Sequence, residues 1–341
     1  MANIDIICYN LFMSVNLSGL TGSAPVIALL GMCKNAGKTT ALNRLISEYR
    51  SCGRSLAVTS VGRDGERVDL VTGTEKPPIY MHEGMLAATA SKLLPLSDIS
   101  REILDVTDVA TPLGRVVVFK ARSGGYVQLA GPSAVSEMSR LRKQLNSLGA
   151  RTVLIDGALN RRSPAAGAVD GACVLCAGAS LNSDMSIVVS ETAFVCRVLT
   201  LPELDECQWD TARRYTAFGN GSTESADTVE QLCIILKRIN AERVTFSGAL
   251  TETAVLAITQ CGVRLDGLIF IVEDSSRILI KKETFERIMA SGADFKVRRG
   301  TTLAAVTVNP VSAGGWRFDA DRFLDEMRRA APVPVVDVER L

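Results

Sequence analysis

Short, unbroken apolar segments alternate with helical patterns along most of the chain. Residues 25–30 contain no polar side chain, which is typical of a strand buried on both faces of a parallel sheet. Residues 39–49 repeat apolar positions at helical spacing, and residues 56–60 are predicted to form a second strand. A strand, a helix and a strand in this order predict a βαβ unit, whose crossover is right-handed in nearly all proteins.

The next segment, residues 61–130, is less regular. Polar residues predict a loop over 62–71, and residues 82–93 are predicted to form a helix. Two strands, over 115–119 and 126–129, flank a Ser-Gly-Gly sequence. This arrangement predicts a β-hairpin.

From residue 133 to the end, helical and strand patterns alternate regularly. The predicted helices cover 133–148, 184–199, 226–239, 250–261, 282–291 and 319–330, and the predicted strands cover 152–155, 172–177, 243–247, 267–272, 303–308 and 333–337. Such alternation predicts an α/β fold with a mostly parallel sheet flanked by helices. The first of these helices places Val135, Met138, Leu141 and Leu145 on one face.

A polar stretch between about residues 200 and 225 predicts a domain boundary. We expect a first domain over residues 24–200. The C-terminal α/β region, residues 225–341, either forms a second domain or continues the first sheet. Residues 1–23 lack the basic start of a signal peptide, and we expect them to be a flexible N-terminal extension.

Composition narrows the function classes. The 38 basic and 37 acidic residues nearly cancel, so the protein has no overall attraction to nucleic acid or to an acidic membrane. No run of about 18 uncharged apolar residues occurs, and no membrane span is expected.

Of the nine cysteines, Cys173 and Cys176 have CxxC spacing, but they lie in a predicted strand, where residues three apart face opposite ways. We expect a reduced, cytoplasmic protein without a zinc site.

One segment carries a specific chemical signature. Residues 31–40, Gly-Met-Cys-Lys-Asn-Ala-Gly-Lys-Thr-Thr, match the pattern GxxxxGK[ST] between a predicted strand and a predicted helix. This is the structural context of a phosphate-binding P-loop. Glycines let the backbone curl so that its N–H groups surround an anion, and the helix adds its positive N-terminus.

The residues of this segment have separate expected roles. Lys38 is expected to reach the β- and γ-phosphates of ATP as a point charge, and the Thr39 hydroxyl is expected to bind Mg²⁺. Lys34 either adds a second positive charge at the phosphates or points into solvent. The loop residues expected to contact the nucleotide are Gly31, Lys34, Asn35, Ala36, Gly37, Lys38, Thr39 and Thr40.

Acidic residues after two strands complete the expected site. Asp156 ends an apolar strand, and ligands gather at the carboxyl ends of parallel strands, so we expect Asp156 to hold Mg²⁺ through water. Asp64 follows the strand over 56–60 and is expected to bind the metal ion or to act on water at the γ-phosphate. The alternative for Asp64 is a solvated polar loop. Lys38, Asp64 and Asp156 are therefore the expected catalytic residues.

The identity of the base is inferred from sequence signals. The Asn-Lys-x-Asp sequence that recognises guanine is missing, and Leu159 occupies the glycine position of an Asp-x-x-Gly switch, so ATP is favoured over GTP. Asn309 is expected to contact the adenine edge, the alternative being a structural turn before Pro310. Trp316 is isolated in the sequence, and no base-stacking role is expected for it.

Four sequence motifs resemble a known family. The segments 31–40, 59–66, 155–161 and 305–310 are similar to those of KamB, the reactivase subunit of lysine 5,6-aminomutase, and the likeness covers most of residues 24–341. It implies an ATP-driven accessory protein that helps to exchange damaged cobalamin on an adenosylcobalamin-dependent aminomutase. More distantly, the chain resembles dethiobiotin synthetase, cobyrinic acid diamide synthase and the MinD/ParA ATPases. It departs from MinD and ParA at Met32, where their signature has lysine, which argues against an in-trans role for Lys34.

Three functions follow from these patterns. The leading hypothesis is an ATPase whose nucleotide state reshapes a partner, either a cobalamin-dependent aminomutase or another accessory subunit. The second is an enzyme of the dethiobiotin synthetase type, which uses ATP to activate a small molecule. The third is a nucleotide sensor that binds ATP but barely hydrolyses it.

Overall fold

The computed structural model describes residues 16–62, 79–157, 171–204 and 212–340. Its strands are β1 (Val26–Gly31), β2 (Leu56–Ser60), β3 (Ile79–Met81), β4 (Leu86–Ala90), β5 (Arg101–Thr111), β6 (Gly114–Ala121), β7 (Gly125–Val127), β8 (Thr152–Asp156), β9 (Ala172–Gly178), β10 (Tyr215–Gly219), β11 (Ser222–Ala226), β12 (Arg243–Phe246), β13 (Leu250–Thr251), β14 (Ile269–Val272), β15 (Ile278–Leu279), β16 (Asp294–Val297), β17 (Thr302–Asn309) and β18 (Val335–Val336). Its α-helices are α1 (Leu17–Thr21), α2 (Lys38–Ser51), α3 (Val135–Ser147), α4 (Met185–Leu199), α5 (Val229–Arg238), α6 (Glu252–Gln260), α7 (Lys282–Ala290) and α8 (Ala320–Ala330).

A nine-stranded sheet forms the larger layer, in the order β18-β17-β9-β1-β8-β2-β4-β6-β5. The strands from β18 to β4 are all parallel, and β6 then pairs antiparallel with both β4 and β5. Every residue of β1 is buried, as expected for a central strand covered on both faces. The predicted α/β fold with a mostly parallel sheet is confirmed.

A second sheet of five strands lies in the later part of the chain, in the order β11-β10-β12-β14-β16. β12, β14 and β16 are parallel, and β10 and β11 form an antiparallel hairpin at one edge. β17 and β18 then return to the first sheet, where β17 pairs with β9. The strands of residues 225–341 are thus divided between the two sheets, and this return places the end of β17 next to β9.

A shared apolar core joins the two sheets. One buried cluster contains Leu30 of β1, Phe194 of α4, Phe270 of β14 and Phe323 of α8. Phe285 of α7 extends it, with ring centroids 5.5 Å from Phe194. The opposite face of β1 packs in a separate cluster with α1 and α2. Burial of these large side chains on both faces fixes the central strands in place.

The two cysteines with CxxC spacing point to opposite faces of β9, as predicted. Cys173 belongs to the cluster shared by the two sheets, and Cys176 belongs to the cluster beneath α2. Among the described residues, no group of three or more His, Cys, Asp or Glu side chains is arranged to hold a metal ion.

The prediction of a helix over residues 82–93 is wrong. Gly84 makes a left-handed turn at φ +87°, and the chain then enters β4, followed by a short 3₁₀ helix over Ser91–Leu96. All five residues of β4 are buried, between β2 and β6. Leucine and alanine favour helices intrinsically, but burial of small side chains in the sheet outweighs that preference here.

The predicted hairpin has the correct strands but the wrong pairing. β7 pairs with β3, whereas β6 pairs with β5, a strand that the sequence pattern missed. β5 lies at the edge of the sheet, its residues are mostly exposed, and its register shifts twice. An edge strand of this kind has no clean alternation of apolar and polar residues to detect.

The expectation of a flexible extension through residue 23 is wrong for residues 16–21. Leu17 is fully buried, the Ser18 N–H donates to Glu48 Oε2 at 2.7 Å, and the Thr21 and Tyr49 hydroxyls are 2.7 Å apart. The fold therefore includes α1 and begins before residue 24.

One position of helix α3 also differs from the prediction. Met138, Leu141 and Leu145 are buried, as expected, but Val135 is 42% exposed.

Candidate phosphate-binding site

The segment 31–40, hereafter the 31–40 loop, lies at the carboxyl end of β1, between β8 and β9. The Met32 N–H donates to the Cys176 carbonyl at 2.9 Å, which extends the β1–β9 ladder by one bond. The chain then leaves the sheet and enters α2 at Lys38. The predicted strand, loop and helix are therefore confirmed at this position.

The backbone of the 31–40 loop curls through two left-handed residues. Asn35 has φ +58° and Gly37 has φ +90°. Gly37 is the N-cap of α2 and makes no side-chain cap, and the first turn of the helix contains no acidic residue. The helix therefore presents its first N–H groups and the positive end of its dipole without a carboxylate of its own first turn to neutralise them.

Lys38 extends across the loop toward the end of β1. A Cβ atom added to Gly31 would lie 2.6 Å from Lys38 Nζ and 3.0 Å from Lys38 Cδ. A larger residue at position 31 would displace the lysine side chain from this position. The ammonium group is thereby held at the mouth of the loop, beside the N-terminus of α2.

Asp156 lies at the carboxyl end of the neighbouring strand β8. It pairs in register with Leu29 of β1 and with Ser60 of β2. The Val61 N–H and the Ser60 hydroxyl both donate to the Asp156 main-chain oxygen, at 2.9 and 3.1 Å. These bonds fix the backbone from which the half-buried carboxylate projects.

The buried Cys176 thiol lies within the electrostatic influence of both Lys38 and Asp156. Burial raises the pKa of Cys176 to about 11. The Thr307 hydroxyl and the positive charge of Lys38 counteract this increase, and the negative charge of Asp156 adds to it. The strand register shows which face Asp156 occupies, because Asp156 pairs with Leu29, and Leu29 and Cys176 both pack in the cluster beneath α2. The Asp156 carboxylate therefore projects on the face of the sheet that α2 covers, and Lys38 lies in the first turn of that helix.

Two close contacts hold the loop against β9 and β17. A Cβ atom on Gly178, the last residue of β9, would lie 2.9 Å from Ala36 Cα. Asn309, the last residue of β17, donates from Nδ2 to the Asn35 carbonyl at 3.0 Å, and its Oδ1 accepts from the Val311 N–H at 3.1 Å. The Asn309 amide thus supports the strained left-handed turn of the loop.

Trp316 lies near the loop, although it is isolated in the sequence. Its indole N–H donates to the Ala179 carbonyl at 3.1 Å, and Ala179 directly follows Gly178, which contacts the loop. Nearby, the Ala313 N–H donates to the Ser180 hydroxyl at 3.1 Å. The indole is 37% exposed. Its place beside the loop was not predicted, because only the pairing of β17 with β9 brings it here.

The remaining predicted residues divide into three groups. Thr39 and Thr40 are half-buried in the first turn of α2, beside Lys38, and Ala36 is buried. Lys34 is exposed on the loop. Asp64 lies outside the described residues, so its expected role at the γ-phosphate stays a prediction.

The single histidine of the chain lies far from the loop along α2. His82 Nδ1 is 2.9 Å from the guanidinium of Arg50, in the last turn of that helix. Partial burial lowers the pKa of His82, and the charge of Arg50 lowers it further. The described part of the site therefore has carboxylate, lysine and hydroxyl groups, but no imidazole, for acid–base chemistry.

Comparison with protein-family models, curated proteins and solved structures finds no match for this chain. In the described ranges, none of the helices combines the length and the apolar character needed to cross a membrane.

Proposed function

We propose that this protein binds ATP at the 31–40 loop and hydrolyses it. The observation that carries the proposal is the geometry of the loop itself. A buried parallel strand leads into a left-handed turn at Asn35 and Gly37, followed by the uncapped start of α2. Lys38 lies across Gly31 at the same point. Backbone N–H groups, a helix N-terminus and an ammonium group together form an environment for a phosphate chain.

The donor set fits Mg²⁺ as the metal partner of ATP. Mg²⁺ prefers oxygen ligands and keeps several waters, so one or two protein groups are sufficient. Thr39 and Asp156 would hold the ion, and Asp64 stays a predicted further ligand. When bound, the ion supplies charge neutralisation on the phosphate oxygens.

We assign the base to the side of the loop that faces β9 and β17. Asn309 and Trp316 are both anchored there, by bonds to Asn35 and Ala179. The half-exposed indole offers an aromatic surface for stacking, and such surfaces bind any base. Because the guanine-recognition sequence is missing, ATP is the nucleotide proposed.

The proposed role of ATP turnover is to drive an accessory step on a partner protein, namely an adenosylcobalamin-dependent aminomutase or another accessory subunit. The support is the resemblance of four motifs to the reactivase family, all of which lie wholly or partly in the described ranges. Three of them lie around the loop. They contribute the 31–40 loop itself, Asp156 and Asn309.

The test measures ATP hydrolysis by the purified protein alone and with lysine 5,6-aminomutase that carries inactivated cobalamin. We expect the aminomutase to increase the hydrolysis rate several-fold and to release its damaged cobalamin only when ATP is present. Hydrolysis that depends on a small metabolite and yields a phosphorylated or ligated product would instead identify a kinase or ligase. Tight ATP binding with no hydrolysis under any condition would identify a nucleotide sensor.

A further inference from the structure

Two cysteines that the nucleotide site does not use meet between helices α5 and α6. Cys233 lies in the middle of α5 and is 4% exposed, and Cys261 is the C-cap of α6 and is exposed. The two helices pack against each other beside the five-stranded sheet. Both thiols are reduced in the structure.

A shared carbonyl oxygen fixes the proximity of the two residues. The Cys233 sulfur lies 3.9 Å from the Ala257 oxygen, and the Cys261 N–H donates to that same oxygen at 3.0 Å. A thiol in the middle of one helix and the end of the next helix therefore converge on one point.

We propose that Cys233 and Cys261 form a reversible disulfide by exchange with a low-molecular-weight disulfide, and that this bond ties α5 to α6.

The surroundings assign a different role to each thiol. Burial raises the pKa of Cys233 to about 12, and the neighbouring Cys261 thiol adds to this increase. A thiol with so high a pKa is a poor initial nucleophile, because only the thiolate attacks. Cys261 is exposed to solvent and is therefore the residue that meets the small disulfide first.

The exchange proceeds in two steps. The Cys261 thiolate attacks one sulfur of the small disulfide, forms a mixed disulfide and releases one thiolate. The Cys261 sulfur carries no charge in the mixed disulfide, so its contribution to the raised pKa of Cys233 is removed. Cys233 then loses its proton to the first released thiolate, and its own thiolate attacks the Cys261 sulfur, so that the mixed bond breaks and the second small thiolate leaves. The two cysteine protons end on the two released thiols. The cysteine pair loses two electrons, and the small disulfide gains them.

Local backbone freedom permits the final bond. Cys261 lies at the end of α6, and Gly262 immediately after it turns left-handed at φ +70°. A helix end can adjust by small rotations without disturbing the core, whereas Cys233 stays fixed in α5. This freedom matters because a disulfide allows only a narrow range of Cα–Cα distances and of torsion angles about the S–S bond.

The chain contains internal comparisons for this pair. Cys173 and Cys196 are both buried, and burial raises the pKa of each to about 12. The Cys196 thiol adds to the increase at Cys173. Cys52 is exposed at the C-cap of α2, and the described structure shows no second thiol contacting it. We expect the buried pair to stay reduced in the folded protein and Cys52 to stop at the mixed disulfide.

The experiment incubates the reduced full-length protein, at low micromolar concentration, with oxidised glutathione. Free thiols are then alkylated with N-ethylmaleimide in acid, and the protein is digested with trypsin. Cleavage at Lys237, Arg238 and Arg243 separates the two cysteines, so a disulfide appears in the mass spectrum as a cross-linked peptide pair. We expect this pair in the wild type and its loss after dithiothreitol.

Variants distinguish the proposed pair from other reactions. Cys261→Ser is an exposed substitution and should abolish the cross-link, whereas Cys52→Ser should leave it unchanged. The midpoint of thermal unfolding should rise on oxidation of the wild type but not of Cys261→Ser. The proposal is overturned if Cys261 ends as a glutathione adduct with Cys233 alkylated, or if the cross-link forms only in denaturant or between two molecules.

Discussion

At the scale of single residues, the candidate site depends on close approaches that only small or amide side chains permit. Gly31 leaves room for Lys38, Gly178 lets Ala36 lie against β9, and the Asn309 amide bonds to the loop backbone. The sequence predicted the loop residues, because they form one continuous motif whose chemistry is local. The sequence did not predict the contacts of Gly178 or Trp316, because those depend on the pairing of distant strands.

Gly178→Ala tests the close approach of the loop to β9. The added Cβ would lie 2.9 Å from Ala36 Cα, a backbone atom, so the loop itself must shift. Overpacking of this kind costs about 1–3 kcal/mol, and we expect ATP affinity, measured by isothermal titration calorimetry, to fall about tenfold. Gly248→Ala is the matched control, because nothing lies within 4 Å of its added Cβ. Equal affinities for the two variants would contradict the proposed role of this contact.

Asn309→Ala separates support of the loop from recognition of the base. The variant loses the bond to the Asn35 carbonyl, and a lost hydrogen bond of this kind costs about 0.5–1.5 kcal/mol. If Asn309 mainly supports the loop, binding of ATP and of inorganic tripolyphosphate should weaken by the same factor in equilibrium dialysis. A loss confined to ATP would show instead that Asn309 acts on adenine, as the sequence pattern predicted.

Trp316→Ala tests the proposed stacking surface. Base stacking on an aromatic side chain contributes about 1–3 kcal/mol, so ATP affinity should fall at least about fivefold while tripolyphosphate binding stays unchanged. Since the chain has only two tryptophans, Trp209→Phe leaves Trp316 as the sole indole reporter. ATP should quench its fluorescence in that background and tripolyphosphate should not. Quenching by both ligands, or by neither, would place the base elsewhere.

At the scale of elements, the buried parallel strands were predictable and the edge strands were not. β1, β2, β8 and β9 have mostly apolar sequences because both of their faces are covered. β5 and β11 lie at the edges of their sheets and are largely exposed. Their sequences therefore resemble those of loops.

Helix α1 provides the test at this scale. Leu17 is fully buried against the cluster beneath α2, so Leu17→Ala should lower the free energy of unfolding by about 2–5 kcal/mol. Leu20→Ala is the control in the same helix, and its loss should be smaller because Leu20 is only partly buried. Urea denaturation followed by circular dichroism measures both. A change within error for Leu17→Ala would show that α1 is not an integral part of the fold.

At the scale of the whole molecule, the return of the chain to the first sheet builds one side of the candidate site. The chain leaves that sheet after β9, forms the five-stranded sheet, and comes back as β17 and β18. Pattern alone left open whether the last third forms a second sheet or extends the first, because both arrangements have the same alternation of helices and strands. The return places Asn309 beside the 31–40 loop, 274 residues away from Asn35 along the chain.

The most direct test of the central claim is Mg²⁺-dependent ATP binding and hydrolysis by the purified protein, measured beside Lys38→Ala. We predict that the wild type binds ATP with a Mg²⁺ requirement that EDTA removes, and turns it over slowly. Lys38→Ala should lose at least about tenfold in affinity, because a charge-assisted contact to phosphate is removed, while its thermal unfolding stays close to that of the wild type. A wild type that binds neither ATP nor GTP, with or without Mg²⁺, would contradict the account and leave the 31–40 loop with a structural role alone.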